Sequence, residues 1–173
     1  DVMPHFDPTR STTTDVVRQA VIPLSCTGDG RGLPYAEIVS DVPTFPEVMV
    51  THCWSNQFAN LVAAVVSDAL RLPEYGGVAA DISARAFGRL RTRLTAQGTL
   101  DHRYWICAFC VNQHASICSA FAPEPAQSSP FHAAWDEDRR DSVTGEVYRL
   151  CGCSSDKHLN DSPDLCELNK FDD

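Results

Sequence analysis

The most regular stretch of the chain spans residues 56–70, where Phe58, Leu61, Val62, Val65, Val66, Ala69 and Leu70 recur at i, i+3, i+4 and i+7. That spacing gathers them on one face and predicts an amphipathic helix. Ser55 stands where an N-cap belongs, and Pro73 with Gly76-Gly77 closes the segment. A second helix is predicted over residues 81–97. Ile82, Ala86, Leu90 and Leu94 line one face, Phe87 flanks them, and Gly98 occupies the C-cap position. Arg85, Arg89 and Arg93 on another face read as a solvated stripe. Two continuous apolar runs bracket the helices, residues 48–50 (Val-Met-Val) and 104–111 (Tyr-Trp-Ile-Cys-Ala-Phe-Cys-Val). Runs without alternation are typical of strands buried on both faces, the habit of parallel sheets. Strand, helix, helix, strand is a parallel crossover, so the two strands are expected to be central neighbours.

Weaker signals fill in the rest. Residues 1–14 carry Pro4 and Pro8 without periodicity and read as an arm. Thr13 or Thr14 can cap a short helix from Asp15, with Val16, Val17, Ala20 and Val21 in phase and Pro23 as its end. Gly28-Asp29-Gly30-Arg31-Gly32 is turn material without the strand and helix that a phosphate loop needs. Residues 35–39 read as a short edge strand. Beyond Cys118 the chain turns proline-rich (Pro123, Pro125, Pro130), then charged, then forms a predicted hairpin turning at Thr144-Gly145 and returning along residues 147–150. The organisation expected is an arm (1–14), an α/β core (15–118) and a Pro-rich, Cys-rich segment (119–173) too poor in apolar residues to fold without a staple.

Composition narrows the function classes. At 173 residues, 43% hydrophobic and 21% charged, the chain suits one soluble domain. A formal net charge of −9 argues against a nucleic-acid or anionic-lipid partner. No apolar run approaches the roughly 18 residues that a membrane span needs. A start at Asp1 instead of Met suggests a processed product or an excised segment. The anomaly is eight cysteines. Their clustering with histidine favours metal ligation and an intracellular setting over secretion, while disulfides stay open.

Two constellations carry candidate chemistry. Ligands of parallel sheets bind beyond the carboxyl ends of the strands, where this chain has Thr51, His52 and Trp54 after the first run and Asn112 and Gln113 after the second. His52 is the candidate acid–base group, the amides can read polar edges, and Trp54 can stack on a ring. A nucleotide is the candidate ligand; the bland alternative is that these side chains cap the core and tie loops together. The second constellation is Cys107-x2-Cys110-x3-His114-x3-Cys118 followed by Cys151-x-Cys153-x4-His158-x7-Cys166. Cys107 and Cys110 sit inside the predicted strand and point to opposite faces. The stronger set is therefore His114, Cys118, Cys151, Cys153 and Cys166, four of which suffice for a structural zinc. Disulfides or free thiols among the same residues are the alternatives. A redox reading of Cys107-x-x-Cys110 is disfavoured because such a pair belongs at a helix start, not within a strand.

The strand-end motifs also resemble a family. Val48-Met49-Val50-Thr51-His52-Cys53-Trp54-Ser55, followed by Phe58 and an apolar helix, is similar to the V-S-H-A-W-x-x-P-F opening of TIR-like and heterokaryon-incompatibility-like domains of algal and protist proteins. Tyr104-Trp105-Ile106-Cys107-Ala108-Phe109-Cys110-Val111-Asn112-Gln113-His114 resembles their W-I-D-x-F-x-x-N-Q-H strand, and residues 15–23 fit the segment that precedes it. The likeness covers residues 15–114 and implies a Rossmann-like, flavodoxin-type parallel sheet. The family's serine is Thr51 here and its aspartate is Cys107. Its S-x-x-x-C-x-x-E helix, which carries the glutamate of NAD-cleaving members, has no counterpart; Asp164-Leu165-Cys166-Glu167 lacks that context. The resemblance therefore implies a non-catalytic interaction or assembly module with protein partners. An NAD-cleaving enzyme is the alternative, and an accessory subunit of a larger complex is the third reading.

Overall fold

Thr12 begins the first helical stretch with a reciprocal cap. Its hydroxyl accepts from the Asp15 N–H, while the Asp15 carboxylate accepts from the Thr12 N–H at 2.6 Å. The cap is thus Thr12, one or two residues before the predicted one. The computed structural model describes residues 2–40, 42–158 and 166. From the cap the chain runs through α1 (Thr13–Val16), a π turn (Val17–Val21) and α2 (Ile22–Leu24). Pro23 does not stop this stretch as expected. The π turn just ahead of it re-routes hydrogen bonds where proline has no N–H to give. Val17 and Val21 are 0% and 2% exposed, and with Val16, Ile22, Ala108 and Cys118 they form one core.

The arm before it lies on the same chain. Phe6 meets Phe58 edge-on at 6.4 Å between ring centroids. The Phe58 N–H donates to Ser11 O, and the Thr13 and Thr14 N–H groups donate to Asn56 O and Trp54 O.

Residues 35–39 form a helix, α3 (Tyr35–Val39), where an edge strand was expected. Pro34 at its N-cap presets the turn, and Tyr35 leans on Phe109 with centroids 5.9 Å apart. β1 (Val48–Val50) and β2 (Tyr104–Ile106) pair in parallel, Val48 opposite Tyr104 and Val50 opposite Ile106. That much of the sheet was expected. Two other features differ. Val48 and Met49 are 38% and 52% exposed, so β1 is not buried. The second run leaves the sheet after Ile106, and Cys107–Cys110 coils into one helical turn, α7. This turn brings Ala108 and Phe109 onto the N-terminal helices, which a continuing strand could not do. Among the described residues the sheet has two strands, so the chain is mixed α/β; a flavodoxin-type sheet takes about five.

The crossover between the strands is helical. α4 (Phe58–Ala69) starts three residues after Ser55, with Gln57 at its cap. Its buried line of Ala59, Ala63 and Ser67 is made of small residues that let α5 (Gly76–Ser83) approach closely. The expected helix over residues 81–97 is broken at Arg85, which adopts φ +54°, and resumes as α6 (Phe87–Gln97). The break turns Leu90 inward beside Val78 and Ile82, giving a second core with α4. Gly98 closes α6 at φ +74°, as predicted. Asp81 pairs with Arg89 and Arg93, so the arginine stripe is partly tethered, although both partners are exposed enough for this to matter little.

Beyond the 3-10 turn Gln113–Ala115 and α8 (His132–Asp138), the expected hairpin turns at Thr144-Gly145, with Gly145 at φ +74°. Its return strand reduces to one antiparallel bridge, Arg140 to Val147. Two carboxylates anchor this segment. Asp15, 0% exposed, accepts from Tyr148 Oη at 2.6 Å, from the Ser142 N–H at 3.0 Å and from the Ser142 hydroxyl. Asp141 accepts from the Val143 and Thr144 N–H groups at 2.8 and 2.6 Å, and also from Gln19. Neither aspartate was singled out in the sequence.

Candidate metal centre

Four of the five predicted ligands converge. One ligand atom each from His114, Cys118, Cys151 and Cys153 lies within 4.8 Å of all the others. Cys118 Sγ is 3.6 Å from Cys153 Sγ, and Cys151 Sγ is 3.7 Å from His114 Nδ1. Zinc–sulfur bonds of about 2.3 Å and zinc–nitrogen bonds of about 2.0 Å set tetrahedral edges of roughly 3.5–3.8 Å. The two closest edges match this spacing, and the cluster is close enough to hold a metal ion. Cys166, the fifth candidate, is 4% exposed and lies outside the four. No disulfide joins any of the eight cysteines.

Each ligand is positioned by its own stretch of chain. Asn112 caps the 3-10 turn by accepting the His114 N–H at 3.0 Å, which fixes the histidine backbone. Cys118 follows on the same loop, its N–H donating to Gln113 O. Cys151 is drawn alongside by donating its N–H to Cys118 O at 2.9 Å. The loop around Gly30 and Gly32 closes the site, with Ser154 N–H donating to Gly30 O and the Gly32 N–H to Ser155 Oγ. Lys157 Nζ donates to His114 O at 2.6 Å and lies 3.6 Å from Cys153 Sγ.

The tautomer of His114 follows from its neighbours. Ser25 Oγ has one proton, which it donates to Val21 O at 2.7 Å. It can only accept from His114 Nε2–H, 3.0 Å away. That leaves Nδ1 as the lone-pair nitrogen, and Nδ1 is the atom facing Cys151. Metal-bound histidines are oriented this way, with the far N–H held by an oxygen. Gly32 lies against the other face of the ring. A Cβ built there would fall 1.9 Å from His114 Cγ, so only glycine fits. Ser25, Gly32 and Lys157 were missed in the sequence. The Gly-rich loop was legible as a turn, but nothing in it pointed to a histidine 82 residues later.

The thiols are unequal. Burial opposes ionisation of Cys153, yet its thiol is pulled below the ordinary range, chiefly by the Ser155 N–H. Burial pushes Cys151 and Cys118 up. Three thiolates at these distances need a cation to coexist.

The strand-end residues do not form one open cleft. Thr51 is exposed. Trp54 packs on the N-terminal core and donates its Nε1–H to Cys107 Sγ at 3.4 Å. Asn112 Nδ2 donates to Gly32 O, and the buried Gln113 donates to Cys107 O at 3.0 Å. His52 has both ring nitrogens buried without a well-formed hydrogen bond among the described residues, the Val50 backbone giving only a weak contact. Burial pushes its pKa down. No helix among the described residues is long and apolar enough to cross a membrane. Neither a protein-family model, nor a curated protein, nor a solved structure matches the chain.

Proposed function

We propose that this chain is a non-catalytic interaction or assembly module of TIR/HET-like type, whose segment after residue 118 is fastened to the core by a structural zinc ion. The observation that carries the zinc is the convergence of His114 and three cysteine sulfurs, each donor atom within 4.8 Å of the others and two pairs at 3.6 and 3.7 Å. Three sulfurs and one imidazole are a soft-to-borderline donor set, which suits zinc over magnesium or calcium. Four protein donors leave no position for a substrate or an activated water, so the ion's role is folding and not turnover. The commitment of Trp54, Asn112 and Gln113 to contacts within the chain supports a scaffold reading of the strand ends. Protein partners follow from that reading.

Metal analysis of the purified chain tests the proposal. It expects one zinc per chain, removed by a strong chelator with loosening of residues 119–158. Absence of metal, with these sulfurs paired as disulfides, overturns it. The alternative, a nucleotide-processing or NAD-cleaving enzyme, rests on the buried, weakly bonded ring of His52. Incubation with NAD separates the two: no hydrolysis is expected, and robust cleavage lost in His52→Ala selects the enzyme.

A further inference from the structure

Cys107 and Cys110 are not used by the metal centre, and the objection to them as a redox pair disappears in the structure. They begin and end a single helical turn directly after β2. Residues three apart on an α-helix have Cα atoms about 5 Å apart, from a rise of about 1.5 Å per residue on a radius of about 2.3 Å. A disulfide spans roughly 4.4–6.8 Å between Cα atoms, so the turn can close one with little backbone movement. The two sulfurs have different surroundings. Cys110 borders a surface groove of about 580 Å³ shared with Pro46, Arg103, Tyr104 and Trp105. Cys107, half-buried like Cys110, does not line that groove and carries the Trp54 indole N–H on its sulfur.

We propose that Cys107 and Cys110 form a thiol–disulfide exchange site, distinct from the metal centre, that takes low-molecular-weight disulfides through this groove. The Cys110 thiolate attacks one sulfur of the incoming disulfide, whose S–S bond breaks as its first thiolate leaves. The Cys107 thiolate then attacks Cys110 Sγ and displaces the second thiolate. The products are a Cys107–Cys110 disulfide and two small thiols, which carry the two protons given up by the cysteines. Two electrons pass from the dithiol to the disulfide, and an external thiol reverses the exchange. Cys110 lines the groove through which the disulfide arrives and Cys107 does not, which makes Cys107 the resolving sulfur, since access governs which thiol meets the disulfide first.

The test equilibrates the full, zinc-loaded chain with mixtures of oxidised and reduced glutathione, traps thiols by alkylation and maps them by tandem mass spectrometry. The expected result is that Cys107 and Cys110 escape alkylation together, in a peptide lighter by two hydrogens, while zinc content is unchanged. Cys107→Ser should trap glutathione on Cys110, and Cys110→Ser should trap less on Cys107. The proposal is overturned if both stay alkylatable at every ratio. It is equally overturned if Cys118, Cys151 or Cys153 oxidises first with loss of zinc, or if Cys107 is the sulfur more readily trapped. Zinc stoichiometry is read in the same samples before oxidation, so a failure of the metal centre is distinguished from a failure of the dithiol.

Discussion

Gly32→Ala adds one methyl group, replaces no candidate metal donor and should still disrupt the proposed metal centre. The new Cβ would lie 1.9, 2.2 and 2.3 Å from Cγ, Cβ and Cδ2 of His114. Ordinary contact is near 3.4 Å, so the ring or the loop must give by about 1 Å or more. His114 cannot move freely, because its N–H is fixed by Asn112 and its Nε2 by Ser25. Metal–ligand distances tolerate only about 0.2 Å. Overpacking of this kind costs on the order of 3 kcal/mol, which in a chain of this size lowers Tm by roughly 6–12 °C. A displaced second-sphere contact weakens metal binding about 10- to 100-fold. Zinc affinity by chelator competition and Tm at saturating zinc read both effects. Gly28→Ala is the control, since nothing lies within 4 Å of a Cβ there; its Tm should move by about a degree at most. If Gly32→Ala keeps its zinc affinity within about twofold and its Tm within about a degree, the loop does not hold His114 in a binding pose.

Other perturbations probe the rest of the frame. Burial opposes the charge on Asp141, but the Thr144 N–H, the Gln19 amide and the Val143 N–H outweigh it and hold its pKa at about 2. A folded pKa below the usual carboxylate value means the stabilisation is complete above about pH 4 and lost as pH falls toward 2. Asp141→Asn should therefore cost on the order of 2 kcal/mol at pH 7. In urea titrations the gap between the two proteins should close in acid; a gap that persists undiminished at pH 2 contradicts the assignment. Tyr148→Phe removes the buried 2.6 Å donor to Asp15 and should cost about 1–2 kcal/mol by the same assay, whereas no change would mean that Asp15 is satisfied without it. Trp54→Ala strips a half-buried indole packed against the core and should cost about 2–3 kcal/mol, with a fall in Tm; an unchanged Tm would refute its packing role.

How much of this was legible in the sequence depended on the range over which each signal acts. α4, the glycine cap at Gly98 and the pairing of the two apolar runs rest on local periodicity and turn chemistry, and these appear where expected. The cluster that could hold a metal ion was legible because close spacing, His114-x3-Cys118 and Cys151-x-Cys153, supplies donors in pairs. Single helical turns were not. α3 and α7 carry β-branched and aromatic residues, and contacts with Phe109 and the N-terminal helices decide their state over intrinsic preference. Val17 and Val21 were in helical phase in the sequence, but their central place was hidden, because it is set by packing against the distant Ala108 and Cys118. Asp15 and Asp141 could have been suspected locally, from the Thr12-x-x-Asp15 cap box and the turn after Asp141. Their partners, 127 residues apart for Asp15 and Ser142, could not.

X-ray absorption at the zinc edge, on the metal-loaded chain, tests the central claim most directly. The account predicts a first shell of three sulfurs at about 2.3 Å and one nitrogen at about 2.0 Å, with the outer-shell scattering of an imidazole. In His114→Ala the nitrogen contribution should vanish. A shell of four sulfurs would replace His114 by Cys166 as the fourth donor, and a shell rich in oxygen would contradict a closed structural site altogether.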